Sequence, residues 1–209
     1  MKKLLILDSN SIINRAFYGV RPLSASDGTP TNAIYGFLNI LIKLLNEYKP
    51  DYLCAAFDLK APTFRHKMYS EYKAQRHPMP DDLVKQMPIA KDVVRAMGIK
   101  LLELEGYEAD DIIGTVSSIC CQNEVECYIA TGDKDDLQLA YGGTKVILTV
   151  SKMGQSETTL YDEAAVRERY NVSPQEFIDV KALMGDTSDN IPGVKGIGEK
   201  TAMSLIEQY

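Results

Sequence analysis

No apolar run in this 209-residue sequence approaches the roughly 18 residues that a membrane-spanning helix needs. The opening "MKKLLILD" imitates a secretory signal, with lysines followed by leucines. Its apolar stretch ends at Asp8, too soon for a signal sequence, so it reads as a first strand. Cysteine is scarce: Cys54, Cys120, Cys121 and Cys127 form no C-x-x-C pair, and each lies in an apolar stretch. Reduced, buried thiols in a cytoplasmic protein are the expectation, rather than disulfides or a zinc site. Repeats and low-complexity linkers are absent, so the length fits one large domain or one and a half small ones.

Positive charge is also in deficit, with a formal net charge of −6, which taken globally argues against a nucleic-acid binder. Its distribution argues the other way. From Lys60 to His77 the cations Lys60, Arg65, Lys67, Lys73 and Arg76 face Glu71 alone, and both histidines fall in the same stretch. Tyr69 and Tyr72 interleave with these cations, a composition that suits backbone phosphates and stacked bases.

Strand and helix patterns alternate along the chain. Apolar runs over "KKLLILD", "YLCAAFD", "IKLLELE", "ECYIATGD" and "KVILTV" predict strands, and "SETTLYD" predicts a hairpin edge. Helical spacing marks "TNAIYGFLNILIKLLNEYK", with Thr31 or Asn32 as cap. It also marks a helix from Asp81 closed by Gly98, then "EADDIIGTVSSICCQ", a short "KDDLQLAY", "DEAAVRERY" and "SPQEFIDVKALMG". Such alternation predicts an α/β fold with a mostly parallel sheet covered on both faces. Ligands of such sheets bind beyond the carboxyl ends of the strands.

Carboxylates gather at those ends. Three apolar runs stop at Asp8, Asp58 and Asp133, and "GYEADD" adds Glu108, Asp110 and Asp111. Asp135, Asp186 and Asp189 complete the candidates. A lone acid at a strand end is usually a turn former, and acids in a first helical turn complement its dipole. So many converging on one edge cannot all ionise without cations, and hard divalent ions with oxygen ligands are the natural partners. Two such ions about 4 Å apart clamp a phosphodiester for hydrolysis. Asp136 stands one step beyond Asp135 and is expected to point away, a bystander that leucine would replace without harm.

In "IPGVKGIGEKTA" the gap from Gly193 to Gly198 matches a phosphate-binding Walker loop. Glu199 intervenes before Lys200 and Thr201, and no strand precedes it. A helix-hairpin-helix fits better: two short helices joined by a glycine turn that offers backbone N–H groups to phosphate. The run Asp8-Ser9-Asn10 also lacks the D-x-D of haloacid dehalogenase phosphatases.

Together, "FDLKAPTFRHKMYSEYKAQRHPMP", "GYEADDIIGT", "ATGDKDDLQL" and "LMGDTSDNIPGVKGIGEKTA" resemble the 5′-nuclease domain of bacterial DNA polymerase I, in the flap endonuclease superfamily. The resemblance covers essentially the whole chain. It implies a PIN-like, Rossmann-like core over residues 1–170, with a helical arch at about 60–80, and a helix-hairpin-helix region over 171–209. It implies a 5′-3′ exonuclease or flap endonuclease of replication and repair that cuts nicked or branched duplex DNA with a 5′ flap. The nine carboxylates named above would be the ligands of two Mg²⁺ ions, with Mn²⁺ able to substitute. Lys73, Arg76 and the adjacent Tyr72 would act at the scissile phosphate. Arg15, Arg65, Lys67, Lys73, Arg76, Gly193, Lys195, Gly196, Gly198 and Lys200 would bind DNA, and K⁺ would sit at the hairpin. A monomer, normally fused to a polymerase domain, is implied. There are departures: Ser9 replaces a common glycine, and Asp136 replaces a usually apolar residue. The family domain also continues for several helices past "LIEQY", which implies a truncated fragment, with a catalytically weak DNA-binding piece as the alternative.

Overall fold

The computed structural model describes residues 1–152 and 155–209. Five parallel strands form its centre: β1 (Lys3–Asp8), β2 (Tyr52–Ala56), β3 (Lys100–Leu102), β4 (Glu126–Thr131) and β5 (Thr144–Lys152). Strand β6 (Gln155–Tyr161) adds an antiparallel edge to β5, and the order across the sheet is β3-β2-β1-β4-β5-β6. The chain winds outward from β1 to β3, then returns to lay β4 on the other side of β1. That reversal is the switch point at which open α/β sheets bind ligands.

Alternation along each strand feeds two cores. Leu5 and Leu7 of β1, Ala55 of β2 and Ala130 of β4 pack against α1 (Ser9–Gly19), α2 (Asn32–Tyr48) and α4 (Asp81–Ala96), with Phe37, Leu41 and Leu83 fully buried there. Ile6, Cys54, Ala56 and Ile129 face the other way. They meet α5 (Ala109–Gln122), α6 (Glu163–Tyr170), α7 (Glu176–Met184) and α8 (Glu199–Gln208) through Ile113, Val166, Phe177 and Ala202. A strand buried on both faces must be apolar at every position, which is why "LLIL" is unbroken.

Several elements depart from the sequence pattern. Helix α1 was not signalled; it starts because Asp8 caps it, its Oδ1 accepting the Ser11 N–H at 3.2 Å. The basic segment forms only a short helix, α3 (Phe64–Met68), followed by turns. "DDLQL" forms a 3₁₀ turn over Asp135–Leu139. A two-residue ribbon pairs Gly185–Asp186 with Ile191–Pro192. Cys54, Cys120 and Cys127 are buried free thiols, whereas Cys121 is exposed because it lies on the outer side of α5. No helix among the described residues is long and apolar enough to cross a membrane.

Candidate metal centre and nucleic-acid cleft

The adjacent strands β2, β1 and β4 deliver Asp58, Asp8 and Asp133 to one cleft of about 920 Å³. Asp8 is buried, and its Oδ2 accepts from Thr131 Oγ1 at 2.7 Å. Burial, opposed by these hydrogen bonds and reinforced by Asp58 and Asp133, pushes its carboxyl up to about 6. Asp58 Oδ1 accepts the Ala109 N–H at 2.8 Å, which ties β2 to the start of α5. Asp133 Oδ1 accepts the Asp135 N–H at 3.0 Å.

The acids of "GYEADD" divide. Glu108 is the N-cap of α5 and forms a capping box with Asp111, whose Oδ2 accepts the Glu108 N–H at 2.9 Å. Asp111 also takes a two-pronged ion pair from Arg65, at 2.7 and 2.8 Å, which holds its carboxyl below the usual range. The structure therefore engages Asp111 with Arg65, away from the cleft, and leaves Arg65 spoken for. Asp110, between them, opens into the cleft. The residue is open to solvent, but the protein packed around its carboxyl in the cleft, and then the charges of Asp8, Asp58 and Asp133, push it up to about 8. One stretch thus serves both a helix start and a site.

The basic segment reaches the same cleft through Lys73 and Arg76. Lys73 Nζ lies 2.9 Å from Glu108 Oε1, and Arg76 pairs with Asp189. Lys73 has φ of 57°, and its N–H donates to the Asp189 carbonyl at 2.9 Å. Tyr72 is not available for base stacking: it is 5% exposed, and its hydroxyl lies 3.0 Å from both Glu108 Oε2 and Asp189 Oδ2. Burial, then those two acids, raise its phenol well above the ordinary value. Arg15, on α1, donates to the Gly132 carbonyl at the cleft wall. Lys67, Lys195 and Lys200 are exposed. Gly193 is packed against the backbone of Met184 and Gly185, while Gly196 and Gly198 lie open beside the start of α8.

A cation the sequence did not single out lies here. Lys181, on α7, reaches Asp135 Oδ1 at 2.9 Å and Asp186 Oδ2 at 2.7 Å. Against the effect of burial, Lys181 and Ser188 hold the Asp186 carboxyl down to about 2. For Asp135 burial prevails over Lys181 and raises the carboxyl. No local pattern marks Lys181; only the packing of α7 beside the 3₁₀ turn brings it in.

Asp136 does not point away. The 3₁₀ turn advances about 120° per residue, so Asp135 faces Lys181 while Asp136 turns inward, 3% exposed. Burial, then Asp110 and Asp8, raise its carboxyl well above the usual range. Asp8, Asp110 and Asp136 each place one oxygen within 4.8 Å of the others, and Asp136 Oδ2 is buried without a hydrogen-bond partner. Among the described residues, no Lys or Arg nitrogen lies within 4.0 Å of these three carboxylates; the nearby cations pair elsewhere. Hard oxygen donors without a protein counter-charge fit a hard divalent ion.

Residues 3–171 match the model of the 5′-3′ exonuclease N-terminal resolvase-like domain, and residues 172–209 that of the 5′-3′ exonuclease C-terminal SAM fold. DNA polymerase I of Caldicellulosiruptor bescii is 46% identical over 207 residues, covering 99% of this chain and 24% of that protein. The 5′-3′ exonuclease of Aquifex aeolicus is 42% identical over 209 residues, covering 100% of this chain and 70% of that protein. The chain thus spans about a quarter of the length of the polymerase relatives it matches. The bacteriophage T5 flap endonuclease, in a pseudo-enzyme-product complex with DNA and metal ions, shares the fold with a TM-score of 0.78 at 20% identity, covering 100% of this chain and 75% of that one.

Proposed function

The chain belongs to the 5′-3′ exonuclease family, and we propose that it hydrolyses phosphodiesters of nicked or branched duplex DNA near a 5′ end, with divalent cations held by its strand-end carboxylates. The observation that carries this reading is the cleft itself. Asp8, Asp58, Asp110 and Asp133 line it together with Lys73, Arg76, Arg15 and Lys181. An acidic floor suits cations, and a basic rim suits the phosphate that joins them.

Residues 1–170 would form the catalytic core. Asp8, Asp110 and Asp58 would hold the cations, with Asp133, Asp135, Asp186 and Asp189 beside them. Mg²⁺ would suit the cleft because it needs only one or two carboxylates beside water and a substrate phosphate, and two ions would suit the split between the Asp8–Asp110 and Asp135–Asp186 groups. When bound, such ions supply Lewis-acid stabilisation to the charge on the phosphoryl oxygens. Lys73 would carry its ammonium from Glu108 to the arriving phosphate, and Arg76 would orient it. Tyr72 would position Glu108 and Asp189 rather than touch DNA.

Residues 171–209 would grip the duplex away from the cut. Gly198 precedes α8 and leaves the first N–H groups of that helix without a side-chain cap. Those groups would donate to a backbone phosphate, with Lys195 and Lys200 nearby and K⁺ as the bridging ion. A 5′ flap would suit the basic segment that carries Lys73 and Arg76. Cleavage of a labelled 5′-flap duplex with Mg²⁺, abolished by EDTA, tests the reading. Binding without cleavage in Mg²⁺ would instead leave a DNA-binding module.

A further inference from the structure

Asp136 belongs to none of the roles above. It lies in the 3₁₀ turn after β4 and lines a cavity together with Asp110. Its residue is 3% exposed, and its Oδ2 has no hydrogen-bond partner. That oxygen's surroundings offer no protein cation: Lys73 is taken by Glu108, Arg65 by Asp111, Arg76 by Asp189, and Lys181 by Asp135 and Asp186. The groups it does meet are the Thr131 hydroxyl and the carboxylates of Asp8 and Asp110, with which it shares a 4.8 Å cluster of carboxylate oxygens. A buried carboxyl aimed at two more stays ionised only if a cation sits among them, and otherwise holds a proton that an arriving cation would displace.

We propose that Asp136 is an additional carboxylate ligand, closing a three-carboxylate pocket with Asp8 and Asp110 around a hard divalent cation. This rests on the metal reading of the cleft and adds one residue to it. Asp8 and Asp110 approach from the strand end and the start of α5, and Asp136 from behind, on the side of the smaller cavity of about 590 Å³ that Asp110 also lines. Three anionic ligands bind a divalent ion more tightly than two, so this chain should hold its first cation more firmly than a version with leucine at the position.

The test is calorimetric titration of Mn²⁺ into the metal-free 209-residue chain and into Asp136→Leu and Asp136→Asn. The tightest Mn²⁺ event should weaken by at least about tenfold in both variants, since even outer-shell partners of metal ligands are worth that much. Asp136→Asn keeps the side chain's shape, so the comparison stands if the leucine variant does not fold. Wild-type Mn²⁺ affinity in either folded variant overturns the proposal and leaves the rest of the metal reading intact. An unmutated chain that binds no Mn²⁺ overturns both.

Discussion

Lys73 Nζ lies 2.9 Å from Glu108 Oε1, so the ammonium of the basic segment rests on the carboxylate that caps α5. The contact ties the basic segment to the acidic edge and holds the ammonium at the cleft. A donor that meets charge developing on phosphoryl oxygens acts mainly in the transition state. Lys73→Ala should lower the single-turnover cleavage rate by roughly 10²-fold, on the scale of losing one such donor. Affinity for a flap duplex, read by anisotropy, should fall much less. Equal losses would make Lys73 a binding contact alone.

The second prediction concerns pH. Asp8 near 6 and Asp110 near 8 both stand above the ordinary 3.8. Between 3.8 and those values the native chain binds more protons than the unfolded one, so stability falls as pH rises. Asp186, held near 2, works in the opposite sense, but its contribution is complete above the ordinary 3.8. In EDTA the melting temperature should therefore fall from about pH 5 to about pH 8. Millimolar Mg²⁺ should raise it more at the upper end, where the ligands are deprotonated. A melting temperature that climbs across this window without metal would contradict the clustered acids.

A third prediction concerns Lys181, which bridges Asp135 and Asp186. Lys181→Met keeps the stem and removes the charge, leaving two partly buried carboxylates facing each other. The metal-free chain should lose about 1 kcal/mol, the upper end for pairs with this much solvent access. Added Mg²⁺ should recover more stability in the variant than in the unmutated chain, because the ion replaces the ammonium. Denaturant melts with and without Mg²⁺ measure both effects. Equal stabilisation by Mg²⁺ would place Lys181 outside the cation's reach.

Much of this site is written in local pattern. An unbroken apolar run ending in a carboxylate specifies a buried parallel strand and an acid at its site-forming end, which is how Asp8, Asp58 and Asp133 come to one cleft. What the pattern cannot carry is direction. Asp136 looked like an outward residue because an α-helical start was assumed; a 3₁₀ turn sends it inward. Tyr72 reads as a stacking residue among cations, yet two acids from distant segments draw its hydroxyl into the interior. Lys181 and the ribbon of Gly185–Asp186 with Ile191–Pro192 depend on how α7 docks, which no short window of sequence holds.

The glycine turn offers a graded test. At Gly193 a Cβ would stand 2.2 Å from the carbonyl carbon of Met184, so Gly193→Ala must displace backbone and should destabilise strongly. At Gly196 a Cβ would meet nothing within 4 Å, but φ is +85°. Gly196→Ala should then cost about 1 to 2 kcal/mol from backbone strain alone. Gly198 has an extended φ of −100° and open space around it. Gly198→Ala should cost about 0.5 to 1 kcal/mol, because glycine caps a helix about as well as threonine and alanine caps it poorly. Its methyl would nonetheless stand before the first N–H groups of α8. If those groups hold a duplex phosphate, Gly198→Ala should weaken DNA binding severalfold at low salt while barely moving the melting temperature. Unchanged duplex affinity in that variant would mean that the turn does not present its backbone to DNA.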